Sequence, residues 1–277
     1  MTEKFAEING IKICYEINGR GFPLVLIHGY GGKKEYWFAV KDFLASKFQL
    51  ITFDLRNSGK SERLNQPITM DVFAEDVKSL INYLNLDQIN IGGTSLGGMI
   101  TQKFILKYPE RVNKAIFINT HYNGKMGEII LETTKEQVKN FSRNYEKNED
   151  YWEEAKFLFH RKMRREMMEN PKKKFYGIWT AEDLIELTET NPPTIEDTIN
   201  QGNAFKGFDT YDQLKNIRNP VLLIASSHDR ILPKSQMIEM HHLIPNSRLE
   251  IIEKAGHWSP ISRAPEISQI LLDFLSN

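Results

Sequence analysis

Residues 93–97 read Gly-Thr-Ser-Leu-Gly and close an apolar, strand-like run, INIGGTS. Glycine has the most backbone freedom to lose on folding, so four of them around Ser95 (Gly92, Gly93, Gly97 and Gly98) need a physical reason. A serine hydroxyl is a poor nucleophile unless a base removes its proton. A sharp strand-to-helix turn exposes such a serine, and the positions two before and two after it must then be small. Gly93 and Gly97 meet that requirement, and Gly98 adds room where the helix passes the sheet. A phosphate-binding turn at a helix N-terminus would also favour glycine. Neither a G-x-G-x-x-G nor a Walker sequence fits this stretch, and GKS at 59–61 has Asp54 where a Walker sequence needs glycine.

The base must come from elsewhere in the chain. Of seven histidines, His257 stands in AGHW, just after the last strand-like run, at the sheet edge where Ser95 is expected. His28 also follows a strand, but its HGYGG context suits a backbone donor loop. His160, His241 and His242 lie in polar, helical stretches, and His228 neighbours a candidate acid. His121, after KAIFINT, is either a loop histidine or a substrate contact; Trp258, beside the base, is a second expected substrate contact. An acid must hold the imidazole in the right tautomer and stabilise its cation. Asp229, in SSHDRILP after the run PVLLIASS, fills that role, whereas Asp54 in DLRNSGKSE reads as structural. The expected order is Ser95, Asp229, His257. The tetrahedral intermediate of acyl transfer needs preorganised donors, and the backbone N–H groups of Tyr30 and Leu96 are the candidates.

These residues require a scaffold that delivers several loops to one edge. KFAEINGIKICYEINGRG holds two strand-like runs joined by Asn9-Gly10, a hairpin signal. PLVLIHG, FQLITFDL, INIGGTS, KAIFINT, PVLLIASS and SRLEIIE follow, each short and apolar, as strands buried on both faces are. DVFAEDVKSLINYL, LGGMITQKFILKYPE and APEISQILLDFLSN carry helical patterns, the last opening with Pro265 near a first-turn position. An initial hairpin followed by alternating strands and helices implies an α/β fold with a mostly parallel sheet. The alternation breaks over residues 122–205, a stretch with more charge than the 26% chain average. Trp152, Ala155, Phe159, Met163 and Met167 recur there at helical spacing and predict one apolar helix face. The expected organisation is a core of 1–121 and 206–277 with a helical cap at 122–205 lying over the ligand edge of the sheet. The basic residues Arg161, Lys162, Arg164 and Arg165 fall on the other faces of that helix, as a solvated surface.

Composition narrows the function classes. The 36 basic and 36 acidic residues balance, which gives no electrostatic case for nucleic acid or a membrane surface as partner. A single cysteine, Cys14, excludes an internal disulfide framework and a cysteine-rich zinc site, and it fits a reducing compartment. The N-terminal MTEKFAEING has no apolar segment of the signal-peptide kind, and runs such as VLLIA fall far short of a membrane span. A cytoplasmic protein is expected, and its oligomeric state leaves no trace in the sequence.

HG at 28–29, DLRNSGKS at 54–61, the elbow at 93–97, the acid loop at 226–233 and the histidine loop at 255–258 together resemble the α/β-hydrolase superfamily over nearly the whole chain. The resemblance implies an eight-stranded, mostly parallel sheet with a helical cap after the sixth strand. Within the superfamily the chain looks most like small capped serine carboxylesterases and oxoadipate enol-lactonases, which share the G-x-S-[LM]-G-G-M elbow. GHW is similar to the carbon–carbon bond hydrolases of ring-cleavage products, but HGYGGKK departs from their usual HGxGPG. Asn57 replaces the usual glycine of DxRGxGxS, and serine at 95 separates the chain from dehalogenases and epoxide hydrolases, which carry aspartate there. The expectation is a serine hydrolase of small-molecule carboxylic esters, with short-to-medium acyl chains, that needs no metal or organic cofactor. An enol-lactonase or carbon–carbon hydrolase with the same triad is the alternative. A small-molecule receptor that retains the triad is the alternative of another class.

Overall fold

The structure is a computed structural model that describes residues 3–139 and 147–277. Asn9 and Gly10 both take positive φ, 47° and 76°, the mirror-image turn that suits the twist of a two-residue hairpin. They join β1 (Lys4–Ile8) to β2 (Ile11–Asn18). The remaining strands are β3 (Pro23–Ile27), β4 (Gln49–Phe53), β5 (Ile89–Thr94), β6 (Val112–Ile118), β7 (Val221–Ser226) and β8 (Ser247–Ile252). They form one eight-stranded sheet in the order β1-β2-β4-β3-β5-β6-β7-β8. The pairs β1–β2 and β2–β4 are antiparallel and all others parallel. The alternation of elements thus yields the mostly parallel α/β sheet it implies, with the eight strands that the resemblance to the α/β-hydrolase superfamily implies.

Side chains alternate across each strand, so each central strand feeds two cores. Val25, Ile27, Ala115, Phe117 and Leu223 face the core beneath α2 (Met70–Tyr83), α3 (Leu96–Lys107) and α9 (Lys234–Leu243). Leu24, Leu26, Ile116, Ile118, Leu222 and Ile224 face the other, beneath α1 (Phe38–Ala45) and α10 (Ala264–Ser276). Because the parallel strands share a direction, β3, β5, β6, β7 and β8 all end at one edge. That edge carries the loops holding His28, Ser95, His121, Asp229 and His257.

Among the described residues between β6 and β7 lie five α-helices: α4 (Lys125–Lys139), α5 (Lys147–Leu158), α6 (Arg161–Glu169), α7 (Ala181–Glu189) and α8 (Ile195–Gly202). The described residues of this interval contain no strand. Two helix starts are set by capping boxes, Thr180 with Asp183 and Thr194 with Asp197. The apolar stripe departs from the single helix that its spacing predicts. Trp152 and Ala155 belong to α5, while Met163 and Met167 belong to α6. The break falls at Phe159 and His160, where the His160 ring caps α6 by accepting from the Lys162 N–H (3.3 Å). All five side chains nevertheless join the same core as Leu24 and Ile224. Periodicity reports the face that is buried, and a cap between two turns can keep that face while bending the axis.

Phe117 is fully buried at the centre of the sheet. Phe117→Ala should cost about 3–5 kcal/mol in chemical denaturation. A loss below about 1 kcal/mol would mean that this core collapses around the gap.

Candidate active site

Ser95 links β5 to α3 with φ 55° and ψ −120°, a conformation that costs a non-glycine residue about 1–3 kcal/mol. The surroundings hold it there. Its N–H donates to the Ile118 carbonyl (3.0 Å), and its own carbonyl accepts from the Gly98 N–H (2.9 Å) and the Thr120 hydroxyl (2.7 Å). The small neighbours have a steric cause. A Cβ on Gly93 would lie 2.2 Å from the Gly97 carbonyl carbon, and one on Gly97 would lie 2.2 Å from the Ile27 carbonyl oxygen. Two backbones thus pass in contact, and the first turn of α3 presses on the end of β3.

The last two strands bring Asp229 and His257 together. The His257 Nδ1–H donates to Asp229 Oδ2 at 2.6 Å, with both side chains buried. Asp229 Oδ1 accepts from the N–H groups of Ile231 (2.8 Å) and Leu232 (2.9 Å), so both carboxylate oxygens have partners and the plane of the group is set. With Nδ1 committed as a donor, Nε2 is left as the basic nitrogen. Ser95 and His257 line one cavity of about 470 Å³, walled by Tyr30, Trp37, Met99, Phe205, Leu232 and Trp258 among others. Trp258 rests on Tyr36 and Phe159, with ring centroids 4.9 and 5.8 Å apart.

His28 is wholly buried, and its two nitrogens have different work. Nε2 accepts from the Leu55 N–H (3.0 Å), which leaves Nδ1 to donate to the Gly29 carbonyl (2.8 Å). Burial holds its pKa below the usual histidine range, so the neutral ring persists. It shapes the Gly29–Gly32 turn, as its HGYGG context suggests. Asp54 is structural: its carboxylate accepts from the N–H groups of Lys34 (2.8 Å) and Lys60 (2.9 Å) and pairs with the Lys34 ammonium. Asn57, which stands where the DxRGxGxS pattern has glycine, takes φ 59°. Its side-chain amide donates to and accepts from Leu64, at 2.8 and 3.1 Å. Asparagine tolerates the left-handed region, and here its side chain adds two hydrogen bonds.

The structure does not bring His121 to the cavity. Its Nδ1 accepts from the Asn123 N–H (2.9 Å) and its ring lies against Tyr122, so of the two readings it is a buried loop histidine. Asn119, two residues earlier, is the residue that sequence reasoning missed. At φ 43°, it donates from Nδ2 to the His257 carbonyl (2.8 Å) and the Ser259 hydroxyl (2.9 Å), while Oδ1 accepts from the Ser226 N–H (2.8 Å). One buried amide therefore ties the loop of His257 to the strand that delivers Asp229. The available signal was a polar residue closing the apolar run KAIFI. Among the described residues, Glu3, Glu16 and Glu35 have metal-ligand spacing; they lie outside the cavity lining, and Glu3 and Glu35 pair with the Lys34 ammonium.

The family model for the alpha/beta hydrolase fold matches residues 23–264. The chain belongs to the alpha/beta hydrolase family. A 2-hydroxy-6-oxo-6-phenylhexa-2,4-dienoate hydrolase of Burkholderia cepacia is 24% identical over 100% of this chain and 97% of the relative. Among solved structures, a thermophilic esterase from Thermogutta terrifontis superposes with a TM-score of 0.83 at 23% identity, covering 100% of this chain and 98% of the other. The enol-lactonase from Burkholderia xenovorans LB400 superposes with a TM-score of 0.80 at 21% identity, covering 99% and 100%. At these identities the structural likeness carries the fold. Membership makes the chain a hydrolase of a small-molecule substrate. No helix among the described residues of this alpha/beta hydrolase is long and apolar enough to cross a membrane.

Burial pushes the His121 pKa from 6.5 down to about 4. The unfolded chain then binds the extra proton first as the pH falls. Stability from this group is complete above about 6.5 and is lost between there and about 4, on the order of 3 kcal/mol in all. Urea unfolding at pH 7 and pH 5 should show the larger part of that loss, about 2 kcal/mol, and His121→Gln should flatten it. An unchanged pH dependence in His121→Gln would assign the acid sensitivity to other groups.

Proposed function

We propose that the chain is a serine hydrolase of carboxylic esters with short-to-medium, uncharged acyl groups. The observation that carries this reading is the buried His257–Asp229 hydrogen bond opening onto the cavity that also receives Ser95 from its strained turn. Ser95 Oγ attacks the ester carbonyl carbon while His257 Nε2 takes its proton, giving a tetrahedral oxyanion. Asp229 holds the imidazole tautomer and stabilises the imidazolium. Collapse of the intermediate breaks the acyl C–O bond, and His257 returns the proton to the leaving alkoxide. Water then attacks the acyl-enzyme with His257 again as base, releasing the acid and restoring Ser95. The N–H of Leu96 is a fitting oxyanion donor: as the first residue of α3 it has no acceptor within the helix, and it lies at the positive end of the helix dipole. The N–H of Tyr30 is the proposed second donor. Helices α4 to α8 act as the cap, since Met126, Ile130, Leu158 and Thr198 all line the cavity.

Lactone and carbon–carbon substrates would use the same chemistry. The dienoate in the name of the Burkholderia cepacia relative is an anion, whereas the described cavity lining here has no Lys or Arg and includes the Glu154 carboxylate. That lining favours an uncharged acyl group. A receptor retaining the three residues is the competing class, and repeated turnover separates the two.

A fluorophosphonate probe should label Ser95 alone. Ser95→Ala and His257→Ala should each lose about 10⁴-fold or more in kcat, because these groups act as a unit. Mass-spectrometric mapping of the label to another serine would overturn the assignment. Across 4-nitrophenyl esters of graded length, kcat/KM should peak at short-to-medium acyl chains, as a cavity of about 470 Å³ requires. It should show no jump above the substrate's solubility limit. Preference for emulsified long-chain triglyceride, with such a jump, would refute the enclosed-cap picture.

A further inference from the structure

The oxyanion loop is fastened to the helical insertion at three successive points. The Tyr30 hydroxyl donates to the Thr198 carbonyl (2.7 Å). The Gly31 N–H donates to Gln201 Oε1 (3.3 Å). The Lys33 ammonium donates to the Leu187 and Thr190 carbonyls at the C-terminal end of α7. Gln201 is the only one of these cap partners that acts through its side chain, and that side chain is fully buried. Its Nε2 donates to the Arg56 carbonyl (3.0 Å), the Asn57 carbonyl (3.1 Å) and the Ser58 hydroxyl (2.7 Å). Turning the amide over would set its oxygen against two carbonyls, so the orientation is fixed and Oε1 must face Gly31.

This matters because of which peptide planes are pinned. The Gly29 carbonyl accepts from His28 Nδ1 (2.8 Å) and the Gly32 N–H (3.0 Å). In a trans peptide the N–H points opposite to the C=O, so the Gly29–Tyr30 plane directs the Tyr30 N–H away from the His28 ring. The next plane, Tyr30–Gly31, is held from the other side by Gln201 alone among the described partners of the Gly31 N–H. Gly31 sits at φ 63°, where glycine can reorient at little steric cost. A flip of that plane rotates ψ of Tyr30 together with φ of Gly31 and exchanges the directions of an N–H and a C=O in the lining of the cavity that Ser95 shares.

We propose that Gln201, on α8 of the insertion, is a positioning residue for the oxyanion loop, so that the direction of the Tyr30–Gly31 peptide at the cavity depends on the docked cap. The inference rests on the Ser95 hydrolase reading. Its signature is a loss confined to the transition state, because Gln201 reaches the reacting atoms only through the loop it holds.

Gln201→Leu keeps the side-chain volume and removes both hydrogen-bonding functions; Gln201→Met is a more adaptable apolar replacement. With a 4-nitrophenyl butyrate substrate, kcat should fall about 10- to 100-fold, short of the 10²–10³ typical of removing a donor outright. KM should change by less than about threefold. Affinity for the trifluoromethyl ketone of matching chain length should weaken by the same factor as kcat/KM, with butyrate inhibition unchanged. Unchanged kcat in either folded variant, or a loss carried by KM, would overturn the proposal. So would failure of both variants to fold, which would make the amide a structural tie. Ser95→Ala in the same assay separates the two readings: retained turnover there sinks the hydrolase assignment, whereas indifference to Gln201 sinks only this one.

Discussion

Gly97, in the first turn of α3, lies so close to the end of β3 that a single added carbon would overlap the Ile27 carbonyl. Much else depends on that approach. It places the first turn of α3, just after Ser95, beside the loop after β3. It also forces the turn at Ser95 into a strained conformation. The neighbouring strand β6 stabilises that turn, through the Ile118 carbonyl and the Thr120 hydroxyl. The strain is thus offset by hydrogen bonds available only when β5 and β6 are paired, and the elbow forms as part of the sheet.

Around the reacting groups, buried polar side chains serve backbone as much as chemistry. His28 spans Leu55 and Gly29, Asp54 collects the N–H groups of Lys34 and Lys60, and Asn119 spans Ser226 and His257. Each joins two loops that would otherwise be irregular backbone at the end of a sheet, where unpaired N–H and C=O groups are costly. The neutral state of His28 follows from the same logic. A ring with one nitrogen accepting and the other donating has no place for a second proton, and burial reinforces that. The loops of this edge have their polar groups satisfied by side chains from neighbouring loops.

The helical insertion joins this network. Its α7 and α8 segments meet the loop after β3 through Lys33, Tyr30 and Gln201, while the Arg63 guanidinium pairs with Asp197 and the Asn57 amide reaches the same carboxylate. The end of α5 meets the other side of the cavity, where the Leu158 carbonyl accepts from the Trp258 N–H (3.0 Å). Gly256 leaves the room for that contact, since a Cβ there would lie 2.5 Å from the same oxygen. Cavity walls and the loops at the sheet edge are therefore parts of one hydrogen-bonded unit, built from the middle and the C-terminal part of the insertion.

The strands, the hairpin and the order of elements were legible in the chain because they depend on local pattern: short apolar runs, Asn9-Gly10, and helical spacing. Ser95, Asp229 and His257 were legible because each follows a strand-like run, and parallel strands bring their C-terminal ends to one edge. The glycine spacing at 93–97 could be read for the same reason, as a steric demand of a turn within five residues. Other features turn on contacts between segments far apart in sequence. Nothing near His121 distinguishes a buried loop ring from a cavity contact; its bond to Asn123 and its packing on Tyr122 decide the matter. The stripe from Trp152 to Met167 reads as one helix because spacing records which face is buried, while the cap at His160 that bends it depends on how that face meets the sheet. Asn119 and Gln201 are ordinary polar residues in a linear reading. Their roles exist only where β6, β7, the His257 loop and α8 converge, since a hydrogen bond is defined by distance and direction in space.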